Sequence, residues 1–513
     1  MNHRLVDPSM KSISCLSLVL IGLILLGSKS IAEQAPNIVL ILADDMGFGD
    51  VAHLNPESVI RTPNLDRLAK EGMAFLDAHS PSGVCTPTRY GLLTGRYCWR
   101  SSLKRGVLGG YSPPLLEKSR PTIATLLRRQ GYQTGAIGKW HLGMQLPVLV
   151  ADAVRTEWAG DPGIDFKGVI TDSPIHHGFD QYFGVSASLD MAPYVYVRND
   201  RFTKVPTMQQ EAVKFPHYIR QGPRADDFVI DEVLDRLTQE GNRFIREASK
   251  KEAPFFLYLP LTGPHKPTQP HQRFRGKTPL GEYGDFVVQV DWTVGSILET
   301  LDTLEIANET LVVFTSDNGS YMHRYDDLAM KDHVDDETIQ GFRRDRHRAN
   351  GQFRGTKADI WEAGHHVPFF VRWPTRVAAG SSSDTTISLT DLYATFSEIT
   401  GTVPVAGAAE DSFSLLKILE GRDAERGAPV IHHSSAGMFA IRAGKWKLVL
   451  GNGSGGRQAP KGKPFERPYQ LFDLDADIEE KTDLAASEPG IVSRLSERLE
   501  AIRKSSEAYR ELN

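Results

Sequence analysis

The sequence predicts an α/β fold with a central mixed, mostly parallel sheet between helices, and two kinds of pattern support this prediction. Four apolar runs of strand length each end in polar residues, at 37–42, 134–137, 255–261 and 311–314. Apolar runs without polar alternation are typical of strands that are covered on both faces. Helical patterns lie between these runs, and alternating strands and helices indicate a largely parallel sheet.

Proline and glycine mark the boundaries of the predicted helices. Pro63 precedes the helical pattern at 64–70 and Gly72 follows it, while the pattern at 123–129 is followed by Gly131. Proline suits the first turn of a helix, and glycine suits the position just beyond its end. The helices therefore have defined starts and stops between the strands.

The pattern of predicted strands and helices changes near residue 424. A further buried strand is predicted at 367–373 and a helix at 385–400, whereas strand character at 438–450 and 469–474 and a helical period at 491–503 indicate a smaller unit. The sequence therefore predicts three segments, which are a signal peptide at 1–32, a large α/β domain at 33–424 and a C-terminal α+β subdomain with an antiparallel sheet at 425–513.

The N-terminal segment has the features of a secretory signal peptide. Lys11 precedes an apolar run at 14–27, and small and polar residues lead to Ala32. The alternative is a membrane anchor, but the run has about 14 residues and a spanning helix needs about 20. We therefore expect a secreted or periplasmic protein, cleaved near Ala32 and without a stable membrane span, whose translation starts at Met1 or Met10.

Composition excludes one class of partner and leaves two cysteines to explain. The formal net charge is −5, which gives no basic surface of the kind that binds nucleic acid. After removal of the signal peptide only Cys85 and Cys98 remain. They could form one disulfide in an oxidising compartment, but the residues around Cys85 suggest another role.

Acidic and amide side chains follow two of the predicted strands. Asp44 and Asp45 come after the first run, and Asp317 and Asn318 come after the fourth. Either pair alone is common in turns and helix caps. Together, at the ligand-binding edge of a parallel sheet, they offer the hard oxygen ligands that Ca²⁺ or Mg²⁺ prefers.

The most specific segment of the chain begins at Cys85. Pro87 suits the first turn of a helix and Gly95 its end, so Cys85 is predicted at a helix N-terminus, which favours an anion. Arg89 would lie about one turn further on, where it could steady an oxyanion. The alternative is a packed cysteine at a helix start.

At this point the sequence resembles the sulfatases of the alkaline phosphatase superfamily. The resemblance rests on Cys-x-Pro-x-Arg at 85–89 with the following Leu-Leu-Thr-Gly-Arg, and on Gly-Lys-Trp-His-Leu-Gly at 138–143. It implies an alkaline phosphatase-like fold and oxidation of Cys85 to formylglycine (3-oxoalanine). It also implies a formylglycine-generating or anaerobic sulfatase-maturating enzyme as a partner.

The resemblance also implies a site, residue by residue. The implied metal ligands are Asp44, Asp45, Cys85, Asp317 and Asn318, with Ca²⁺ as the usual ion and Mg²⁺ as the alternative. The implied catalytic residues are Cys85, Arg89, Lys139, His141, His265 and Lys357. The implied substrate-binding residues are Lys139, Ser188, His265 and Lys357.

The family mechanism assigns a role to each of these side chains. A hydroxyl of the hydrated aldehyde at residue 85, activated by the metal and by Asp317, attacks sulfur in line. His265 protonates the leaving alcohol, and His141 takes a proton from the second hydroxyl so that sulfate is expelled. The sulfuryl oxygens are bound by Lys139 and Lys357, and the hydrate is held by Arg89.

Two other functions compete at this stage. A related hydrolase of phosphate or phosphonate esters can share the Cys-x-Pro-x-Arg signature, and a non-catalytic relative would capture sulfated glycans with an unmodified Cys85. The complete set of motifs favours sulfate ester hydrolysis.

The substrate class follows from a further resemblance. The stretch at 186–194, with His176 and His177 nearby, resembles family members that act on sulfated sugars. We therefore expect a sulfated carbohydrate, with 6-sulfated galactose or N-acetylgalactosamine as the first choice. The charged loop at 319–350 could face substrate or solvent. The choice between Ca²⁺ and Mg²⁺, exo or endo action and the oligomeric state are left open by the sequence.

Overall fold

The predicted α/β fold is confirmed by a computed structural model that describes residues 1, 3, 35–149, 163–214, 217–322, 347–405 and 407–505. The strands are β1 Asn37–Asp44, β2 Met73–Phe75, β3 Ala78–His79, β4 Gln133–Lys139, β5 Gln181–Val185, β6 Val197–Arg198, β7 Arg201–Phe202, β8 Met208–Gln210, β9 Gly222–Arg224, β10 Phe255–Pro264, β11 Thr310–Ser316, β12 Phe369–Arg372, β13 Ser381–Ser383, β14 Ile387–Ser388, β15 Val430–His433, β16 Phe439–Ala443, β17 Trp446–Val449 and β18 Gln470–Asp473. The α-helices are α1 Pro63–Lys70, α2 Cys85–Thr94, α3 Ile123–Arg129, α4 Val233–Ala248, α5 Glu282–Thr303, α6 Glu362–His365, α7 Leu392–Ile399, α8 Leu416–Leu419 and α9 Pro489–Lys504. Nearly all of the predicted signal peptide at 1–32 and most of the charged loop at 319–350 lie outside the described residues.

The main sheet has its parallel strands at the centre. Ten of the described strands form it in the order β13-β2-β12-β11-β1-β10-β4-β5-β6-β7. The neighbours from β11 through β1, β10 and β4 to β5 are all parallel, and antiparallel strands flank them on both sides. In the register, Leu40 of β1 pairs with Tyr258 of β10 and Val313 of β11. The carboxyl ends of the central strands therefore meet at one edge.

Helices cover both faces of the sheet, which explains the unbroken apolar runs. Phe255 of β10 contacts Phe244 of α4 with ring centroids 6.1 Å apart, whereas its neighbour Phe256 contacts Phe396 of α7 at 6.3 Å. Successive side chains of a strand point to opposite faces, so α4 and α7 lie on opposite sides of the sheet. Within the described ranges, no helix has both the length and the apolar character needed to cross a membrane.

One predicted helix begins later than expected. The helix predicted at 385–400 starts only at Leu392, after β14 and a short 3-10 turn. The backbone N–H of Ser388 donates to the carboxylate of Asp391 at 2.9 Å, and the backbone N–H of Thr390 donates to the Ser388 hydroxyl at 3.3 Å. These local hydrogen bonds favour a turn over a helix up to this point.

Several strand boundaries also differ from the prediction, and the stretch predicted as strand at 438–450 forms two strands, β16 and β17, joined by Gly444 and Lys445. The strand predicted at 367–373 is limited to Phe369–Arg372, and Pro368 has no N–H with which to extend the ladder. The run at 134–137 extends to Gln133–Lys139. This extension makes Lys139 the last residue of a central strand.

The C-terminal part contains the predicted second sheet. The strands β15-β16-β17-β18 form an antiparallel sheet, and α9 packs against β16 and β17. Tyr97, from the N-terminal half of the chain, packs in the same core as Ile441, and its hydroxyl accepts the backbone N–H of Ile431 at 3.0 Å. Residues Asn37–Asn513 form one compact unit, so the division at residue 424 stays a prediction.

Two glycines allow a test of packing at the end of α2. Gly95 has a φ of +64°, and a Cβ there would lie 2.9 Å from the Cα of Ala409, whereas Gly401 has the same φ with no atom within 4 Å of such a Cβ. We predict that Gly401→Ala costs about 1 kcal/mol from backbone strain alone. Gly95→Ala should cost about 2 kcal/mol more, because the backbone at Ala409 must move. Thermal unfolding of both variants measures the difference, and equal losses would contradict the packing argument.

Candidate active site

Five side chains gather where the central parallel strands end. Asp44 and Lys139 are the last residues of β1 and β4, and His265 directly follows β10. Asp317 and Asn318 directly follow β11. All five are buried. The structure therefore places acids, an amide, a lysine and a histidine from four distant segments at one edge of the sheet.

Two buried ion pairs form the base of this site. Arg89 of α2 donates from Nε and Nη2 to Oδ2 of Asp317 at 3.0 and 2.7 Å, and its Nη1 donates to the carbonyl of Lys139 at 2.9 Å. The ammonium of Lys139 donates to both carboxylate oxygens of Asp44 at 2.9 and 2.7 Å. All four residues are 0% exposed, so each charge depends on its partner.

Asp45 and Asn318 each carry one side-chain oxygen that accepts no hydrogen bond from the described residues. Asp45 has a left-handed φ of +66°. Its Oδ1 accepts from Nδ2 of Asn318 at 2.7 Å and from Nζ of Lys357 at 2.5 Å. Its Oδ2 and the Oδ1 of Asn318 are buried and have no hydrogen-bond partner in the part of the chain that the structure describes. Buried acceptors of this kind are costly unless a donor or a cation contacts them.

The residues present fit a divalent cation. Ligand atoms of Asp44, Asp45, Cys85 and His265 lie within 4.8 Å of one another. Asp317 joins them through its Oδ1, which accepts the backbone N–H of Asp45 at 3.2 Å. Carboxylate and amide oxygens are the ligands typical of Ca²⁺ and Mg²⁺. A cation here would contact the unsatisfied oxygens and reduce the repulsion among three carboxylates.

The acids of the site differ in their tendency to ionise. Burial raises the pKa of Asp44 to about 7, although the charge of Lys139 opposes this shift. Burial also acts to raise the pKa of Asp317, but the charges of Arg89 and Lys139 outweigh it and hold that pKa below its usual value. Asp317 is therefore ionised at neutral pH, whereas Asp44 is close to its midpoint. A bound cation would favour the ionised form of Asp44.

Cys85 is the first residue of α2 and is almost completely buried. It is 2% exposed, and its Sγ lies 3.5 Å from Nζ of Lys357. Burial raises the pKa of its thiol to about 12, so an unmodified thiol would be a weak nucleophile here. Cys85 and Cys98 are both free in the structure, so the alternative of a disulfide between them is not observed.

His141 is held as a neutral ring with one open nitrogen. Its Nε2 lies 2.8 Å from the carbonyl of Leu108, which places the ring hydrogen on Nε2. Its Nδ1 is buried and has no hydrogen-bond partner among the described residues. Burial, together with the charges of Lys139 and Arg89, holds the pKa of His141 well below its usual value. The Nδ1 lone pair is therefore available to accept a proton.

His265 presents its Nε2 to the site. Its Nδ1 lies 2.6 Å from the carbonyl of Lys266, and its Nε2 lies 3.7 Å from Oδ2 of Asp45. Burial, followed by the charges of Lys357 and Lys139, holds the pKa of His265 well below its usual value. An anion bound beside these lysines would raise that pKa, because negative charge favours the protonated ring.

Ser188 is the one sequence candidate that the structure does not join to the others. It is buried and its hydroxyl has no partner, but none of the contacts between described residues links it to the site. Asp190, two residues further on, lies 4.0 Å from Nδ1 of His265 and forms an ion pair with Arg220. Sequence reasoning missed Asp190, because a single acid in an irregular segment gives no local signal.

Comparisons with known proteins agree on one family. The sulfatase family model matches residues 36–402. An N-acetylgalactosamine-6-O-sulfatase of Bacteroides thetaiotaomicron is 32% identical, over 92% of this chain and 94% of its own. Human steryl-sulfatase is 30% identical, over 81% of this chain and 75% of its own. Both relatives span most of the chain.

A solved structure gives the same result. It is a Bacteroides thetaiotaomicron chain described with the metabolism of multiple glycosaminoglycans, and it matches with a TM-score of 0.78 at 30% identity. The match covers 92% of this chain and all of the other. The likeness therefore extends beyond the main sheet to the C-terminal sheet.

We predict that Ca²⁺ or Mg²⁺ stabilises the metal-free protein, and more strongly at higher pH. Burial gives Asp44 a pKa of about 7, so this acid must lose a proton before it can bind a cation. Cation binding is thus weakened below pH 7 and strengthened as the pH rises through it. At a cation concentration of about 100 Kd, linkage gives about 2.7 kcal/mol of stabilisation.

Thermal unfolding with and without a chelator, at about pH 5.5 and pH 8, measures this effect. Asp45→Asn should remove the response to the cation. Asp226→Asn is the matched control, because the Asp226 side chain is 61% exposed and forms an ion pair with Lys204 at the protein surface. A Tm that is independent of the cation at both pH values would exclude a cation site here.

Proposed function

The chain belongs to the sulfatase family and hydrolyses sulfate esters, and we propose that its substrate is the 6-O-sulfate of N-acetylgalactosamine or galactose in a sulfated glycan. One observation supports the chemistry most directly. Two lysines of the site are buried: Lys357 contacts Sγ of Cys85, the first residue of α2, and Oδ1 of Asp45, and Lys139 is paired with Asp44. The sugar is proposed from the relative named for N-acetylgalactosamine-6-sulfate, which is similar over nearly its whole length.

The proposed reaction requires a modified residue 85. A thiol with a pKa near 12 offers little nucleophile at neutral pH, so we propose that a formylglycine-generating or anaerobic sulfatase-maturating enzyme oxidises Cys85 to formylglycine. The formylglycine would supply the attacking oxygen, and a cation, Ca²⁺ or else Mg²⁺, would supply positive charge beside it. The residues that would hold the cation are Asp44, Asp45, Asp317 and Asn318.

Two lysines would bind the sulfuryl oxygens. Burial acts to lower the pKa of Lys357, but the charge of Asp45 outweighs it and raises that pKa above its usual value. Lys357 therefore keeps its charge although it is 5% exposed. Lys139 forms an ion pair with Asp44. Fixed charges in a site closed to water stabilise the charge of a transition state more than mobile ones.

Two histidines would divide the proton transfers. His141 has its hydrogen on Nε2 and an open Nδ1, so it would act as the base towards the group at residue 85. His265 has its Nδ1 hydrogen held by a backbone carbonyl. Once the bound anion has favoured protonation of the ring, its Nε2 would carry the second hydrogen and donate it to the leaving alcohol. Arg89 would steady both residue 85 and Asp317. Ser188 is proposed as a further substrate contact, supported by its buried hydroxyl, which has no hydrogen-bond partner among the residues that the structure describes.

We also propose that residues 1–32 are a signal peptide and that the enzyme acts in the periplasm or outside the cell. The support is the short apolar run at 14–27 followed by small residues up to Ala32. A polymeric sulfated glycan is also a substrate that is met outside the cytoplasm.

The modification is tested by the mass of the proteolytic peptide that contains Cys85, in protein from its native host or co-expressed with a maturation enzyme. Conversion to formylglycine should lower the mass by about 18 Da, the difference between CH2SH and CHO. Cys98, also free and buried, is the internal control and should be unmodified. An unmodified thiol at residue 85 in active protein would refute the proposed nucleophile.

The same preparation tests the substrate. We expect sulfate release from 6-sulfated N-acetylgalactosamine or galactose to exceed release from the 4-sulfated isomers by at least about tenfold, which corresponds to about 1.4 kcal/mol. Turnover of phosphate esters at the higher rate would favour the phosphatase alternative. Equal turnover of the two sulfated isomers would refute the proposed position of the sulfate.

The role of His265 is tested by the choice of leaving group. His265→Gln should lower kcat/KM for a sugar sulfate by about 10²- to 10⁴-fold, because the alkoxide needs a proton. The loss should be much smaller for 4-nitrophenyl sulfate, since its phenolate leaves without one. His53→Gln is the control, because His53 is exposed. An equal loss on both substrates would assign His265 to binding rather than to proton transfer.

A further inference from the structure

A second cluster of titratable side chains lies outside the sulfatase site, beside β3 and α6. Ligand atoms of Asp77, His79, Glu362 and His366 lie within 4.8 Å of one another. The two histidines and the glutamate are buried, and the side chain of Asp77 is 15% exposed. None of these four residues takes part in the sulfate ester hydrolysis described above.

His366 directs one ring nitrogen at two carboxylates. Its Nε2 lies 2.8 Å from the carbonyl of Leu76, so this nitrogen carries a hydrogen. Its Nδ1 lies 3.2 Å from Oε2 of Glu362 and 3.9 Å from Oδ1 of Asp77. A neutral ring in this position presents a lone pair to both acids. Histidines that bind metals commonly donate their other N–H to a backbone carbonyl, as this one does.

His79 is placed in a similar way. Its Nδ1 lies 3.0 Å from Nδ1 of His365, and the Nε2 of His365 lies 3.1 Å from the carbonyl of Ile360. If His365 donates to that carbonyl, its Nδ1 accepts the hydrogen of His79 Nδ1. The Nε2 of His79 then faces Oδ1 of Asp77 at 2.7 Å with a lone pair. Two lone pairs at this distance repel each other unless a cation lies beside both.

Lys447 allows a different arrangement without a metal. Its ammonium lies 3.2 Å from Nε2 of His365 and 2.9 Å from Oε1 of Glu362. If it donates to Nε2 of His365, the hydrogen of that ring lies on Nδ1 and is donated to Nδ1 of His79. The Nε2 of His79 then carries the hydrogen of its own ring and donates it to Asp77. The two arrangements differ in the occupant of the cluster, which is a metal ion in one and only protons in the other.

His366 favours the arrangement with a metal. The shift of hydrogens through Lys447 leaves Nδ1 of His366 facing Oε2 of Glu362 at 3.2 Å with a lone pair, because its other ring nitrogen carries the hydrogen. A metal ion bound by both atoms removes this repulsion. His432 stacks on His365 with ring centroids 3.7 Å apart but is not among the four residues of the cluster. Imidazole is the commonest protein ligand of transition metals.

We propose a structural transition-metal site, with Zn²⁺ as the expected ion, formed by Asp77, His79, Glu362 and His366. Two imidazole nitrogens and two carboxylate oxygens make a set that tetrahedral Zn²⁺ accepts, whereas Ca²⁺ and Mg²⁺ prefer oxygen alone. The second oxygen of Glu362 remains with Lys447, and that of Asp77 accepts the hydroxyl of Thr386 at 2.5 Å. The site would join the segment before α2 to α6 and, through Lys447, to the C-terminal sheet.

The test uses the full-length protein, extracted with a chelator and reloaded with Zn²⁺ in the presence of excess Mg²⁺. We expect about one tightly held zinc ion per chain, nitrogen and oxygen ligands with imidazole scattering in X-ray absorption, and a higher Tm with zinc than without. His366→Gln should lose this zinc. His432→Gln, beside the cluster but outside the ligand set, should retain it, and so should Asp45→Asn in the sulfatase site.

Two outcomes would overturn the proposal. Zinc that is lost in Asp45→Asn and kept in His366→Gln would lie in the sulfatase site instead. A wild-type protein that retains no zinc would show that the hydrogen bonds through Lys447 satisfy the cluster. If His366→Gln does not fold, the X-ray absorption of the wild-type protein decides. Two imidazoles in the zinc shell support the site, and an oxygen-only shell refutes it.

Discussion

The buried ion pair between Arg89 and Asp317 is the interaction on which the rest of the site depends. It joins the second turn of α2 to the end of β11. A hydrogen bond from Arg89 to the carbonyl of Lys139 also joins α2 to the end of β4. Loss of either partner would leave an unpaired charge in the interior, at a cost of roughly 3–5 kcal/mol. The pair thereby fixes the start of α2, and with it Cys85, against the carboxyl edge of the sheet.

Each of the two lysines of the site is paired with an acid. Lys139 is paired with Asp44, and Lys357 with Asp45. A cation that takes up the two acids would release the two lysines for an anion. Cation and sulfate ester therefore complement each other electrostatically, and each reduces the cost of burying the other.

Local patterns in the sequence were sufficient for the framework, and the resemblance to sulfatases named the residues of the predicted site. Apolar runs marked the central strands, because burial on both faces leaves no position for polar residues, and Gly95 marked the end of α2. Asp190 could not be predicted, since its position depends on an ion pair with Arg220, 30 residues away. The late start of the helix predicted at 385–400 was missed for a related reason: side-chain hydrogen bonds at Ser388 compete with helix formation, and the apolar pattern does not record them.

Cys85 is enclosed by segments that the ribosome makes much later. Its contact with Lys357 spans 272 residues of sequence, and the folded protein leaves it 2% exposed. At roughly 5–20 residues per second, 272 residues take about 14–54 seconds to synthesise. An enzyme that acts on this thiol has about that interval in which the chain is long enough to present Cys85 and too short to close over it. The extent of such a modification would then depend on the speed of translation as well as on the affinity of the modifying enzyme.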